Sequence, residues 1–340
     1  MFRLLRVYVL LFVTINCYAQ ESEGLVKWMT FKEAQEANQK TPKPFLIDFY
    51  TDWCGWCKHM MRTTYSDPNI AGYINSWFYP VKFDAETHDT IDYMGVKYVN
   101  KSPAKKSTHD LALKFLGTQI SYPSTVFVSN NFQFNLLSQG YLEVKKIEPL
   151  LVYTVENAFR SSQYEDFNKH FQNAFYDTAF TKVPAPWTDF NEALTQQKKK
   201  PKKMMVSINA SFCNTCKVMT KTTFTDPDLA AYLKKNFYLV DFMIEDKKEI
   251  EFKGKKYFNN GEGGFPFHSL ALQLTRGNFV MPATVILDEN MEILDVLNFY
   301  QTPEWLNKVA HYFGDNDYKK MKWQEFLEKP KTATAPPKKK

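Results

Sequence analysis

Cysteine is scarce in this chain. Only five occur among 340 residues, and Cys17 lies in an N-terminal segment that is expected to be removed. Missing as well are the widely separated cysteine partners with which exported domains staple themselves. The four that remain, Cys54, Cys57, Cys213 and Cys216, form two pairs of identical tight spacing. That spacing points to redox or metal chemistry rather than to a structural framework. No segment after the N-terminus is apolar enough to cross a bilayer, which takes about 20 residues. A structured basic face is also lacking. The formal charge of +6 comes partly from lysines at 198–200, 202, 203 and 338–340, runs that are expected to be solvated loops and tail. Nucleic acid is therefore not an expected partner, and weak attraction to anionic surfaces is the most such runs imply. What is present is ample apolar material: 44% hydrophobic and 16% aromatic residues mark a folded chain, and each half is long enough to bury its own core.

Arg3 and Arg6 precede an apolar run at 7–15, and Cys17-Tyr18-Ala19 places small residues at the two positions that specify cleavage. This is the pattern of a secretory signal peptide, 1–19, cut after Ala19. The rival, a lipid anchor on Cys17, is disfavoured by Asn16 in front of it. The expected location is the periplasm or the extracellular space.

The chain repeats itself. Trp28 returns as Trp187, 159 positions later, and the same shift carries Cys54 to Cys213, Cys57 to Cys216, Pro68 to Pro227, Phe78 to Phe237, Gly95 to Gly254, Tyr98 to Tyr257, His109 to His268, Pro123 to Pro282 and Phe167 to Phe326. No gap is needed, so the reading is a duplicated domain, with a period too long for a solenoid. The expected boundaries are a first domain at 20–167, a linker at 168–186, a second domain at 187–326 and a disordered Lys/Pro tail at 327–340.

Within the first domain, Thr30 and Glu33 make a capping box that opens a helix to about residue 38. Residues 45–50 form an apolar strand, and a helix follows Cys54. Ser66-Asp67-Pro68 caps another helix, to 75. Residues 78–83 read as a strand, 88–107 as a polar irregular insertion, and 108–115 as a helix. Residues 124–128 and 132–137 read as a hairpin, and 144–159 as the closing helix. The fold class is α/β: two sandwiches in tandem, each a mixed central sheet flanked by helices.

The chemistry is concentrated in Trp53-Cys54-Gly55-Trp56-Cys57-Lys58, placed after a strand and at a helix start. Free backbone N–H groups and the positive end of the helix dipole stabilise a thiolate there. Cys54 at the exposed end is the expected nucleophile, and Cys57, one turn in, the resolving thiol. With Asp48-Phe49-Tyr50-Thr51-Asp52 in front of this motif and Thr64-Tyr65-Ser66-Asp67-Pro68 after it, the chain resembles the thioredoxin superfamily. It is most similar to the exported thioredoxin-like branch that includes the C-terminal domain of the membrane electron conductor that reduces periplasmic disulfides. The resemblance implies three roles. The cysteine pair exchanges with protein disulfides. Asp48, on the strand beneath, moves the proton of the resolving thiol, a task suited to a buried acid. Pro123 after Tyr122 stands at the family's cis-proline, where substrate docks. Trp53 and Trp56 are expected at the substrate-facing rim, with Tyr122, and Met281 in the second half. The expected partners are protein thiols or disulfides and an upstream redox donor or acceptor; no cofactor is implied.

The second half departs from the first. Cys213-Asn214-Thr215-Cys216 keeps the pair, but Phe212 replaces Trp53, Ser207 replaces Asp48, and Met281 precedes Pro282 where Tyr122 precedes Pro123. Loss of the acid should slow proton transfer at Cys216, so the first domain is the expected catalyst. Other readings stay open at this point. Asp48 is alternatively a solvated strand-end acid, Pro123 an ordinary edge proline, and Cys54–Cys57 an inert disulfide. His109 and His268, with Tyr98, Tyr257, Asn100 and Asn259, are expected to anchor the insertion. The two pairs are too far apart in sequence for one zinc site. A copper(I) carrier using the second pair and Met281, or a redox-inactive partner-binding scaffold, is the functional alternative.

Overall fold

The structure is a computed structural model that describes residues 24–329 except 105, 181, 260 and 262–265. The expected signal peptide with Cys17, and residues 330–340 of the expected tail, lie outside the described residues. The first half contains α1 (Phe31–Lys40), β1 (Phe45–Tyr50), α2 (Gly55–Arg62), α3 (Pro68–Trp77), β2 (Tyr79–Asp84), β3 (Ile91–Tyr93), β4 (Val96–Tyr98), α4 (Asp110–Leu116), β5 (Ser124–Val128), β6 (Asn135–Gln139), α5 (Val144–Val155) and α6 (Tyr164–Phe175). The second half contains β7 (Trp187–Thr188), α7 (Phe190–Lys199), β8 (Lys203–Asn209), α8 (Asn214–Val218), α9 (Pro227–Asn236), β9 (Phe237–Met243), β10 (Ile250–Phe252), β11 (Lys255–Tyr257), α10 (Leu270–Leu274), β12 (Ala283–Leu287), β13 (Ile293–Asn298), α11 (Pro303–Gly314) and α12 (Trp323–Glu328). The shift that relates the residues also relates α3 to α9, β3 to β10, β5 to β12 and α5 to α11.

Each half holds one mixed sheet. The first has the order β2-β1-β5-β6, and the second β13-β12-β8-β9-β7. β1 runs parallel to β2 and antiparallel to β5; β8 does the same between β9 and β12. The central strands are apolar on both faces because helices cover both. In β1, Phe45, Leu46, Ile47 and Phe49 are all fully buried. Local chemistry fixes the helix starts. Thr30 and Glu33 close the capping box on α1, and Asp67 accepts from the N–H groups of Asn69 and Ile70 ahead of α3, with Pro68 in its first turn.

Several segments differ from the sequence reading. The insertion at 88–107 is not irregular throughout: β3 and β4 pair as a hairpin, turning at Met94 and Gly95, both at positive φ. Gln35 of α1 ties that turn down, accepting from Met94 N–H and donating to the Asp92 carbonyl. β6 starts at Asn135 rather than 132 because Phe132 adopts a left-handed conformation, φ 61, which lengthens the turn. The closing helix ends at Val155, not 159, and α6 follows it into the segment expected to be linker. That helix persists because Phe167 and Phe171, four apart on one face, bury against the second half. Likewise α12 continues through Leu327 and Glu328, which were expected to be tail. Lys203 belongs to no solvated run. It is buried, and its ammonium reaches Glu289 Oε1 at 2.6 Å and Asn316 Oδ1 at 3.0 Å. No helix among the described residues is long and apolar enough to cross a membrane.

Candidate functional site

β1 ends at Tyr50, and the turn 51–53 delivers Cys54 to the N-cap of α2, where Cys54 N–H donates to the Thr51 carbonyl. Cys54 and Cys57 are joined as a disulfide. Cys57 N–H points at Cys54 Sγ from 3.0 Å, so the sulfur sits among backbone dipoles that favour a thiolate on reduction. Cys54 is not at an exposed end as expected: it is as buried as Cys57, and what lies open around the pair is its aromatic rim. Trp53 is 57% and Trp56 61% exposed. Trp53 is nonetheless held: its indole N–H donates to Glu86 at 3.0 Å, the Lys106 ammonium lies over its ring, and the Tyr122 ring meets it edge-on at 6.2 Å. Trp56 packs with His59 and Tyr141. Tyr122–Pro123 is a cis peptide at the start of β5.

Asp48 is buried in the middle of β1, opposite Lys82 on β2 and Thr125 on β5. It is not a solvated strand-end acid. Tyr65 O–H donates to its Oδ1 at 3.2 Å, and Oδ2 has no hydrogen-bond partner among the described residues. Burial pushes its carboxyl up to about 7, against weaker lowering by Tyr65 and Lys82. A carboxyl so placed changes protonation state near neutrality.

The second motif reproduces the backbone but not this acid. Cys213 caps α8 and is disulfide-bonded to Cys216, whose N–H lies 3.1 Å from Cys213 Sγ. Met281–Pro282 is again cis, and Met281 packs against the core cluster that contains both cysteines. Ser207 replaces Asp48 and donates to Asn209 Oδ1. Phe224 stands where Tyr65 does, keeping the same aromatic partner: Trp28–Tyr65 and Trp187–Phe224 are both 4.8 Å between ring centres. The acid and the hydroxyl that binds it have thus been lost together.

Sequence reasoning missed three participants. Tyr65 was visible as the counterpart of an apolar Phe224 in the shifted alignment of the two halves. Glu86 and Glu156 gave no local signal, because each arrives from elsewhere in the chain. Glu156, in the C-terminal cap of α5, reaches the second motif and accepts from Asn214 N–H and Thr215 N–H at 3.0 and 2.7 Å. His109 and His268 hold the insertions. Each ring accepts from the first turn of its own helix and contacts a carbonyl of the insertion, that of Asp89 or Lys248. Asn100 donates to the carbonyl of Ser107 across the same insertion.

Residues 14–147 match the Thioredox_DsbH family, described as a protein of unknown function, DUF255. Residues 185–271 match the Thioredoxin_7 family, described as thioredoxin-like. The chain belongs to the thioredoxin superfamily. No curated protein matches the sequence. Among solved structures, a thioredoxin-fold protein from Helicobacter pylori is 18% identical over 46% of this chain and 86% of its own, with a TM-score of 0.30. A DsbH oxidoreductase is 17% identical over 39% of this chain and 90% of its own, at 0.28. The oxidised C-terminal domain of DsbD from Neisseria meningitidis is 16% identical over 36% of this chain and 87% of its own, at 0.24. The thioredoxin-like architecture accounts for the mixed sheets and the flanking helices of both halves.

Proposed function

We propose that the protein is an exported thiol–disulfide oxidoreductase of two tandem domains, in which the first pair, Cys54 and Cys57, exchanges with disulfides of client proteins. The observation that carries this reading is the first motif itself. A cysteine pair sits at a helix start beneath exposed tryptophans, with a buried acid of near-neutral titration on the adjoining strand. Export rests on the N-terminal pattern of residues 1–19, and the periplasm is the compartment that suits such chemistry. The Cys54 thiolate attacks a client disulfide, forming a mixed disulfide and releasing one client thiolate. Cys57, its proton passed to Asp48, then attacks Cys54 Sγ. The Cys54–Cys57 bond closes, the second client thiolate leaves, and two electrons have moved to the client. The same steps reversed oxidise a client dithiol, the direction being set by the potentials of the partners. Pro123 with Tyr122, Trp53 and Trp56 form the docking rim. Cys213, Cys216 and Pro282, with Met281 beside them, make up an accessory pair, a role supported by the absent acid at 207 and the covered dipeptide 214–215.

Insulin-disulfide reduction with dithiothreitol as donor tests the reading on the mature chain, with Cys54→Ala and Cys213→Ala beside it. Activity should fall to the uncatalysed rate in Cys54→Ala and stay near that of the parent in Cys213→Ala. If the parent itself runs at the uncatalysed rate, the reading is wrong.

A further inference from the structure

The central dipeptides of the two motifs have opposite surroundings. Gly55 and Trp56 are exposed, whereas Thr215 is fully buried and Asn214 partly covered. What covers them is the end of α5 from the first half. Both oxygens of Glu156 are engaged: Oε1 by Asn214 N–H at 3.0 Å, Oε2 by Thr215 N–H at 2.7 Å and by the Thr215 hydroxyl at 2.6 Å. Oε2 also lies 3.8 Å from Cys213 Sγ.

We propose that Glu156 is a positioning residue of the second thiol pair, a carboxylate lent by the first half that keeps reduced Cys213 protonated and so withholds it from thiol–disulfide exchange. This rests on the reading of the protein as an oxidoreductase and says why one of its two pairs is silent. Two effects act in the same direction. A carboxylate in contact with the sulfur opposes a second negative charge there. It also occupies the N–H groups of residues 214 and 215, which would otherwise stabilise a thiolate. When a dithiol reductant opens Cys213–Cys216, two electrons and two protons enter the pair. Cys213 and Glu156 then titrate as a unit whose last proton is hard to remove.

Few other charges bear on this unit. Tyr73 of α3 hydrogen-bonds Asn214, and burial and Glu156 push its phenol well up. Glu245, after β9, is bound by Ser211 N–H. Lys217 lies one turn on in α8. Burial raises Glu156 itself, against lowering by its Thr215 and Asn214 donors. The duplication supplies an internal comparison. Position 315 is the counterpart of Glu156, and there Asp315 accepts from Tyr232 O–H at 2.8 Å and from His311, on the surface. Asp315 is thus satisfied within its own half, whereas Glu156 reaches across to the other.

The test is alkylation of the reduced full chain by iodoacetamide across a pH series, with Cys213 and Cys54 followed separately by peptide mass spectrometry. In the parent, the Cys213 midpoint should lie above that of a free cysteine, about 8.5. Glu156→Gln should move it down by about one unit and speed alkylation about tenfold at neutral pH, leaving the Cys54 profile in place. Glu156→Asp, whose shorter side chain withdraws the charge, should move it part of the way and covers the case in which Glu156→Gln does not fold. An unchanged midpoint, or a rise in rate that is uniform across pH as loosened packing would give, overturns the proposal. Insulin reduction through Cys54 is scored on the same proteins. Activity with an unmoved Cys213 midpoint sinks the gate alone, and loss of parental activity sinks the oxidoreductase reading alone.

Discussion

Asp48 can ionise only by placing a charge inside the sheet, and that has a consequence for stability as well as for proton transfer. Its carboxyl titrates at about 7 in the folded chain against an ordinary value of 3.8. Between those values the folded state holds a proton that the unfolded state has lost. The resulting stabilisation is therefore fully present below about pH 4 and is lost as pH rises to about 7. It amounts to about 4 kcal/mol across the window. Asp48→Asn should flatten this part of the stability–pH curve, as read by urea denaturation at a series of pH values. It should also slow closure of the Cys54–Cys57 bond while leaving the initial attack by Cys54 unchanged. An unaltered slope would show that the carboxyl is not held neutral. The role proposed for Asp48 rests on its place before the motif and on the family resemblance, neither of which discloses its environment. The hydroxyl of Tyr65 comes from a separate turn, and only the fold brings it to Oδ1.

At the scale of elements, what could be read was what local sequence dictates. β1, rich in strand formers and with Pro44 before it, runs 45–50 as expected. The Asp-Pro caps placed α3, and the constant shift placed the corresponding elements of the second half. Boundaries failed where tertiary contacts decide them. α6 runs into the segment expected to be linker because the second half buries its face, and Lys203 was misread because the Glu289 and Asn316 partners lie 86 and 113 positions away. After α8 the chain takes a π-helical turn, Met219–Thr223, where the first half has only a 3-10 turn after a longer helix, a difference the gap-free match conceals. The insertion shows how long-range polar contacts hold an element that sequence reads as loose. His109 is fully buried, takes Leu111 N–H on Nδ1 at 3.1 Å, and so presents N–H from Nε2 to the Asp89 carbonyl at 3.0 Å. His109→Ala removes both bonds and should cost about 1–3 kcal/mol. Hydrogen exchange should rise first in β3 and β4. Exchange rising equally over the whole first sheet would mean that His109 supports the core rather than the insertion.

Over the whole molecule, the two halves do not stand apart. Val152, Tyr153, Ala158, Phe167 and Phe171 from the end of the first half share one core cluster with Val218, Met219, Phe224 and Tyr300 of the second. Phe167 meets the Tyr300 ring edge-on at 5.2 Å, and the Tyr300 hydroxyl hydrogen-bonds His170 Nδ1 at 2.7 Å. This junction also brings α5 close enough for Glu156 to reach Cys213. The counterpart of Phe167 is Phe326, and it is only partly buried. The two phenylalanines therefore separate the contribution of the junction from that of the repeated unit. Phe167→Ala should cost about 3–5 kcal/mol, whereas Phe326→Ala, losing less buried area, should cost less. In calorimetry the parent should unfold in a single cooperative transition, because disrupting either half strips the shared cluster from the other. Phe167→Ala should split that transition in two, and Phe326→Ala should lower it without splitting. Two transitions already present in the parent would show that the halves fold independently, and the route by which Glu156 is delivered to the second motif would then have to be sought elsewhere than in this junction.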